Sequence, residues 1–161
     1  MLYSYACMIP NVIAYDIYKP LIIELSKSAD PLHRKAGLKI LGFVCDSDGL
    51  LDPIKNDIDL WTDLIVESLQ HPDQIVKDAT CQIIGNFSED CVPDFLDQHA
   101  KVMPVLTNVL QSQVQIAVQS EEHASSAERA LFALGEFATN FEEYELKPYL
   151  ASSIQIILAY L

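Results

Sequence analysis

Glycine and arginine are both scarce in this chain. Of its 161 residues only Gly37, Gly42, Gly49, Gly85 and Gly135 are glycine, too few for the many tight turns of an all-β fold. Arg34 and Arg129 are the only arginines, and 10 basic residues face 23 acidic ones for a formal net charge of −13. A chain this acidic is repelled by phosphate backbones, which argues against direct nucleic-acid binding. The four cysteines, Cys7, Cys45, Cys81 and Cys91, form no CxxC pair and lie in or beside apolar runs. There they behave as small hydrophobes, so no disulfide framework is expected and a reducing compartment is.

Signatures of chemistry are missing too. There is no Gly-rich phosphate loop, no GxSxG and no HExxH. His33, His71, His99 and His123 are widely separated, which leaves no spacing for a shared metal ion. Asp57/Asp59 and Glu142/Glu143 are adjacent or alternate carboxylates that read as solvated helix faces. No catalytic residue, no cofactor and no metal are expected, and the chain is not read as an enzyme. The opening segment, Met1 to Pro10, is apolar but lacks a basic start and is too short to span a membrane.

What is present is hydrophobic residue, half of the chain, arranged in a repeat. Ile40-Leu41-Gly42-Phe43-Val44, Ile83-Ile84-Gly85-Asn86-Phe87 and Ala133-Leu134-Gly135-Glu136-Phe137 share one signature. Gly42 and Gly85 are 43 residues apart and Gly85 and Gly135 are 50 apart. A period in the forties is the length of a two-helix HEAT or armadillo unit. The register extends upstream: Arg34 and Lys77, like Ala36 and Ala79, are also 43 apart. The expected fold is therefore all-α, a HEAT-repeat α-solenoid of about 3.5 helix pairs. Its repeats fall at about 11–46, 53–89, 93–140 and, incomplete, 143–161.

Punctuation places the helices within each unit. Val76, Ala79, Thr80, Ile83, Ile84 and Phe87 form one apolar stripe at helical spacing. Asp30 and Asp73 are natural N-caps, with Pro31 and Pro72 beside them where a missing N–H costs nothing. The coarse helices are 11–28 with 31–46, 53–70 with 73–89, 93–111 with 124–140, and one opening at 143. A glycine at one helical position three times costs up to about 1 kcal/mol each, so close approach of a neighbouring helix is expected there. Trp61 is expected to pack between repeats. The apolar end, Ile154 to Leu161, carries no capping signal; solenoids normally end on polar caps, so a longer parent protein is expected.

The third unit departs from the pattern. A polar stretch from Ser112 to Ser126, containing Glu121-Glu122-His123, holds its seven extra residues as an insertion between helices, and insertion loops in repeat arrays often touch ligands. Arg129 stands where the other units have Ala36 and Ala79, which suggests a local slip of register by one.

A solenoid offers its surface for binding. Second helices are expected to line the concave side, with outward residues forming rungs across the repeats. One rung is Lys35, Asp78 and Glu128; another is Lys39, Gln82 and Phe132; the third is Phe43, Asn86 and Glu136. A partner on that face should lie closest to these nine.

The residues of successive units resemble those of a known family. The run Asp30-Pro31-Leu32-His33-Arg34-Lys35-Ala36-Gly37-Leu38, followed by His71-Pro72-Asp73-Gln74-Ile75-Val76-Lys77-Asp78-Ala79, is similar to consecutive HEAT repeats of the β-karyopherins, the nuclear import receptors. Gly85-Asn86-Phe87-Ser88-Glu89-Asp90 and Leu146-Lys147-Pro148-Tyr149-Leu150 resemble that family in particular, in its importin-β3/importin-4 type. The resemblance runs over nearly the whole chain from about Ile17 onward, is weaker in the first ten residues, and is weak in the third unit. It implies a central fragment of a receptor that carries cargo through the nuclear pore, binds Phe-Gly nucleoporins and releases cargo to Ran-GTP. It implies residence in cytoplasm, nucleus and nuclear pore, with no membrane or nucleic acid as partner. An acidic surface would suit basic cargo. Composition and period alone also allow a HEAT scaffold of another complex, such as a phosphatase regulatory subunit or a coat or adaptor protein.

Overall fold

A computed structural model describes residues 11–47, 49–119, 124–141 and 143–160 of the chain. Those residues form eight α-helices and no strand: α1 (Asn11–Ser26), α2 (Pro31–Cys45), α3 (Leu51–Asn56), α4 (Ile58–Leu69), α5 (Gln74–Asp90), α6 (His99–Ala117), α7 (Ala124–Thr139) and α8 (Glu143–Tyr160). The helices stack as antiparallel pairs in two layers. Second helices pack in the order α2, α5, α7, and first helices in the order α4, α6, α8, with α1 on α2, α4 on α5 and α6 on α7. The architecture is that of an all-α, HEAT-like solenoid segment.

The caps read from the sequence have a structural counterpart. The Asp30 and Asp73 side chains accept hydrogen bonds from the Leu32 and Ile75 amides, both at 2.9 Å, and Pro31 occupies the first turn of α2. Each cap satisfies an amide with no partner inside the helix and is worth about 1 kcal/mol. The stripe Val76, Ala79, Thr80, Ile83, Ile84 and Phe87 is buried. Fifty residues on, Ser126, Ala130, Ala133, Leu134 and Phe137 are buried in α7. The third second helix therefore keeps register. Arg129 does not mark a slip; it is exposed where Ala79 is buried, and it points its guanidinium at Asp78.

The first helix of the second unit, expected to run unbroken over 53–70, is broken at Asp57 between α3 and α4. Asp57 makes no cap bond there; its carboxylate turns back to accept from Tyr15 Oη at 2.5 Å and Lys19 Nζ at 2.7 Å, both on α1. Tyr15 Oη in turn accepts from Trp61 Nε1 at 3.1 Å, and Trp61 is wholly buried between the repeats. Burial pushes the Asp57 carboxyl upward, but the Lys19 and Tyr15 bonds outweigh it and hold the group below the usual carboxylate range.

The third unit differs most from expectation. Its first helix begins at His99, after a cis Val92–Pro93 peptide and a 3₁₀ turn over Leu96–Gln98, and runs to Ala117. Ser112 to Ala117, read as part of a polar insertion, thus belongs to α6. The reason is Gln113, which is buried and donates from Nε2 to Gln74 Oε1 at 2.6 Å. Glu121, Glu122 and His123 lie outside the described residues, as do Met1 to Pro10.

Aromatic rings join the later repeats. Phe87, Phe95, Phe137 and Phe141 form a chain with centroids 5.3, 5.2 and 5.0 Å apart, and it continues through His99 to Tyr149 on α8. Tilted and edge-on pairs of this kind contribute about 0.5–1.5 kcal/mol each beyond area burial. Pro20, Pro104 and Pro148 lie inside α1, α6 and α8. All three are exposed, so the hydrogen bonds they remove lie on helix faces turned away from the core.

Candidate functional site

Each second helix turns two faces. One carries the buried stripe; the other carries Lys35 and Lys39 on α2, Asp78, Gln82 and Asn86 on α5, and Glu128, Phe132 and Glu136 on α7. Where α2, α5 and α7 meet, that second face encloses a groove of about 740 Å³, lined by Lys35, Lys39, Asp78, Gln82, Glu128 and Phe132 together with Ile75, Ala79, Ser125 and Arg129. A smaller recess of about 260 Å³ continues it along α2 and α5, lined by Lys39, Gly42, Phe43, Asp46, Ala79, Gln82, Ile83 and Asn86. Of the nine rung residues read from the sequence, Glu136 alone lines neither; its Cγ lies 4.0 Å from where a Cβ on Gly85 would stand.

One of the repeated glycines lets α2 and α5 approach closely. A Cβ on Gly42 would meet Ile83 Cδ1 at 2.8 Å, and one on Gly85 would meet Phe132 Cε1 at 3.4 Å. Gly135 faces open space and the contact at Gly85 is an ordinary van der Waals one, so close approach explains Gly42 alone of the three. Gly37, outside the signature, makes the closest approach: its Cβ would lie 2.6 Å from Ser26 Oγ and 2.9 Å from the Ser26 backbone nitrogen.

The floor of the groove is polar and already organised. Asp78 accepts from Gln74 at 2.6 Å, Ser126 at 3.2 Å and Arg129 at 2.9 Å. Sequence reasoning missed Arg129, Ile75 and Ser125 as lining residues. Arg129 was visible as an oddity of register, whereas Ile75 and Ser125, 50 residues apart, sit one turn before the first rung on their helices. Around this floor stand large exposed apolar side chains: Phe43 is 62% exposed and Phe132 61%. The charge of the face is mixed rather than acidic, with Lys35, Lys39 and Arg129 beside Asp78, Glu128 and Glu136. On the first-helix layer the exposed face of α4 is acidic, with Asp59, Asp63 and Glu67 following one another at four-residue spacing. Lys101 already bridges Asp59 and Asp63, at 3.5 and 3.2 Å, and Arg34 reaches Glu67 at 3.4 Å.

Among the described residues no group of three or more His, Cys, Asp or Glu side chains could hold a metal ion. Cys45 and Cys91 approach to 3.5 Å between sulfurs, inside the core at the ends of α2 and α5. The contact with Cys91, then burial, pushes the Cys45 thiol well above the ordinary range, so that thiol stays protonated. A further groove of about 310 Å³ between α6 and α8 is lined mainly by uncharged polar groups, among them Asn108, Gln111 and Gln155. No described helix is long and apolar enough to cross a membrane.

Comparison with known proteins adds a relationship to this geometry. The chain is 35% identical over 95 residues to Importin-4 of Mus musculus and 31% identical over 99 residues to Importin-4 of Homo sapiens. Each match covers 58% of the chain and 8% of the relative, so the chain corresponds to a small part of the length of those proteins. No protein-family model matches it. The matches relate the chain to the karyopherin HEAT-repeat proteins.

Proposed function

We propose that this chain is a segment of a nuclear transport receptor, a non-catalytic scaffold that binds other proteins on the surface of its stacked helices. The observation that carries this reading is the similarity to Importin-4, which joins a HEAT-like stack whose second helices leave a groove edged by exposed phenylalanines. Protein cargo is the expected partner of such a surface, with Ran-GTP governing its release and Phe-Gly nucleoporins carrying the receptor through the pore. The protein then works in cytoplasm and nucleus and at the nuclear pore. Stacked repeats suit that cycle because small shifts between neighbours alter the pitch of the whole stack, so partners compete through its shape.

The charge of −13 favours basic cargo, which it attracts from a distance. The carboxylates of Asp59, Asp63 and Glu67 are the natural acceptors, since they already hold a lysine and an arginine of adjoining repeats and could exchange them for those of a cargo.

The test is capture by the immobilised chain, alone and within the full-length protein that contains it, using purified Ran loaded with GTP or GDP and a basic nuclear protein. Binding of Ran-GTP but not Ran-GDP by the full-length protein, with displacement of the basic protein, is the expected result. Indifference to the nucleotide, or recovery of phosphatase or coat subunits from extract, would overturn the transport reading and leave the fold standing.

A further inference from the structure

The groove between α2, α5 and α7 contains a local charge opposite to that of the chain. Arg129 and Asp78 neutralise one another at 2.9 Å. Arg34, the third cation of α2, is occupied by Glu67 and by the Ser28 carbonyl, to which its Nε donates at 2.7 Å. Lys35 and Lys39 remain. Neither forms an ion pair among the described residues, and α2 has no carboxylate anywhere along Pro31–Cys45. One helical turn apart, their Cβ atoms are about 5–6 Å from one another. Of the residues that line the groove, Glu128 on α7 is the one carboxylate outside the Asp78–Arg129 pair and stands near the apolar side chain of Phe132; Glu136 lies farther along the same face of α7, and Asp46 lines the adjoining recess with Lys39.

In a chain of net charge −13, two unneutralised lysines in a recess beside a largely exposed phenylalanine stand against the background field. We infer that the groove accepts an extended acidic segment of a partner protein, with two carboxylates two residues apart on Lys35 and Lys39 and a large apolar side chain against Phe132. Alternate residues of an extended chain are about 6.6 Å apart, which matches the lysine spacing, and the flexible lysine stems take up the difference. Gln82, between the lysines and Phe132, has an amide able both to donate to and to accept from the backbone of such a segment. The inference rests on reading the second-helix face as a protein-binding face. It makes the two layers complementary in sign: basic segments of a partner go to α4, acidic ones to this groove.

The experiment is fluorescence anisotropy of the whole chain with a short labelled peptide of core Glu-Ser-Glu-Phe-Leu, against a Lys-Ser-Lys-Phe-Leu counterpart. The acidic peptide should bind more tightly, and its affinity should fall as salt rises. Lys35→Glu with Lys39→Glu should weaken it about tenfold or more. Lys39→Gln alone, at an exposed position that leaves folding intact, should weaken it about threefold, and Glu128→Gln should strengthen it by a similar factor. Failure of the acidic peptide to bind, or binding indifferent to both lysine substitutions, overturns the inference. If instead the basic peptide binds and Glu128→Gln weakens it, the groove remains a binding face and only the assigned charge falls. If no groove substitution alters the binding of either peptide, the second-helix face itself is lost as the site.

Discussion

Alanine at Gly37 and alanine at Gly135 make the same chemical change in two helix interiors and should have opposite effects. In each case the methyl group raises helix propensity by about 1 kcal/mol. At Gly135 it enters open space, so that gain is realised nearly whole. At Gly37 it would stand 2.9 Å from Leu25 Cβ and from the Ser26 backbone nitrogen, and 2.6 Å from Ser26 Oγ. Two of those three atoms cannot rotate away, so α1 must move off α2 by about half an ångström or more before contact becomes ordinary. Overpacking of that kind costs about 1–3 kcal/mol. Because the propensity gain is common to both variants, the stability difference between them isolates the overpacking and should itself be about 1–3 kcal/mol. Urea unfolding followed by circular dichroism measures it, provided the denaturant slope is unchanged. Gly135→Ala should melt about 2–4 °C above the parent chain. Gly42→Ala and Gly85→Ala should fall between the extremes, since the atoms they meet are the ends of the Ile83 and Phe132 side chains. A Gly37→Ala chain as stable as Gly135→Ala would refute the close approach of α1 and α2.

Other outcomes follow from individual groups. The depressed carboxyl of Asp57 contributes stability that is present above its unfolded value of about 3.9 and lost as pH falls through the lower folded value. Acid titration should therefore destabilise the parent chain more steeply than Asp57→Asn, and identical profiles would remove the link to Tyr15 and Lys19 as a source of stability. Burial, then the Asp78 carboxylate, pushes the Cys81 thiol up to about 12, so its stabilising effect is complete below the unfolded value and fades as pH rises. Between about pH 9 and 12 that thiol should take away about 1.4 kcal/mol per pH unit. Cys81→Ala should flatten that slope whatever it does to the overall level. Phe132→Ser, at a 61% exposed position, should change stability by no more than about 0.5 kcal/mol. Phe95→Ala, in the buried aromatic chain, should cost about 3–5 kcal/mol; equal effects in denaturant titration would mean that the two faces had been exchanged.

The second helices could be read from sequence because their signals are local. A capping aspartate, an apolar stripe at helical spacing and a glycine at one recurring position determine α2 and α5 within a few neighbouring residues. The first helices depend on distant partners. Asp57 breaks one of them to reach α1, 42 residues back at Tyr15, and no window around Asp57 contains that information. Gln113 was legible only as a polar residue in a polar run, because the glutamine that satisfies it stands 39 residues away. The groove followed the same division. Its rungs came from the repeat offset alone, whereas its electrostatics depended on which charges are spent in pairs: Arg129 on Asp78 and Arg34 on Glu67.

The run of hydrogen bonds from Gln113 through Gln74 to Asp78, and from there to Ser126 and Arg129, has a mechanical consequence. It crosses from α6 to α5 to α7 at the end of the second helices where they begin. Donor–acceptor distances tolerate only about half an ångström before a bond is lost, so this end resists relative movement of the three helices. Toward the other end, Asn140 Nδ2, just beyond α7, donates to the Ser88 carbonyl of α5 at 3.0 Å, and between the two ties the edge of the Phe132 ring lies over Gly85. Sliding of α7 past α5 would therefore strain directional bonds at both ends, and drawing Arg129 away from Asp78 would leave the Ser126 and Asn140 bonds still joining the two helices.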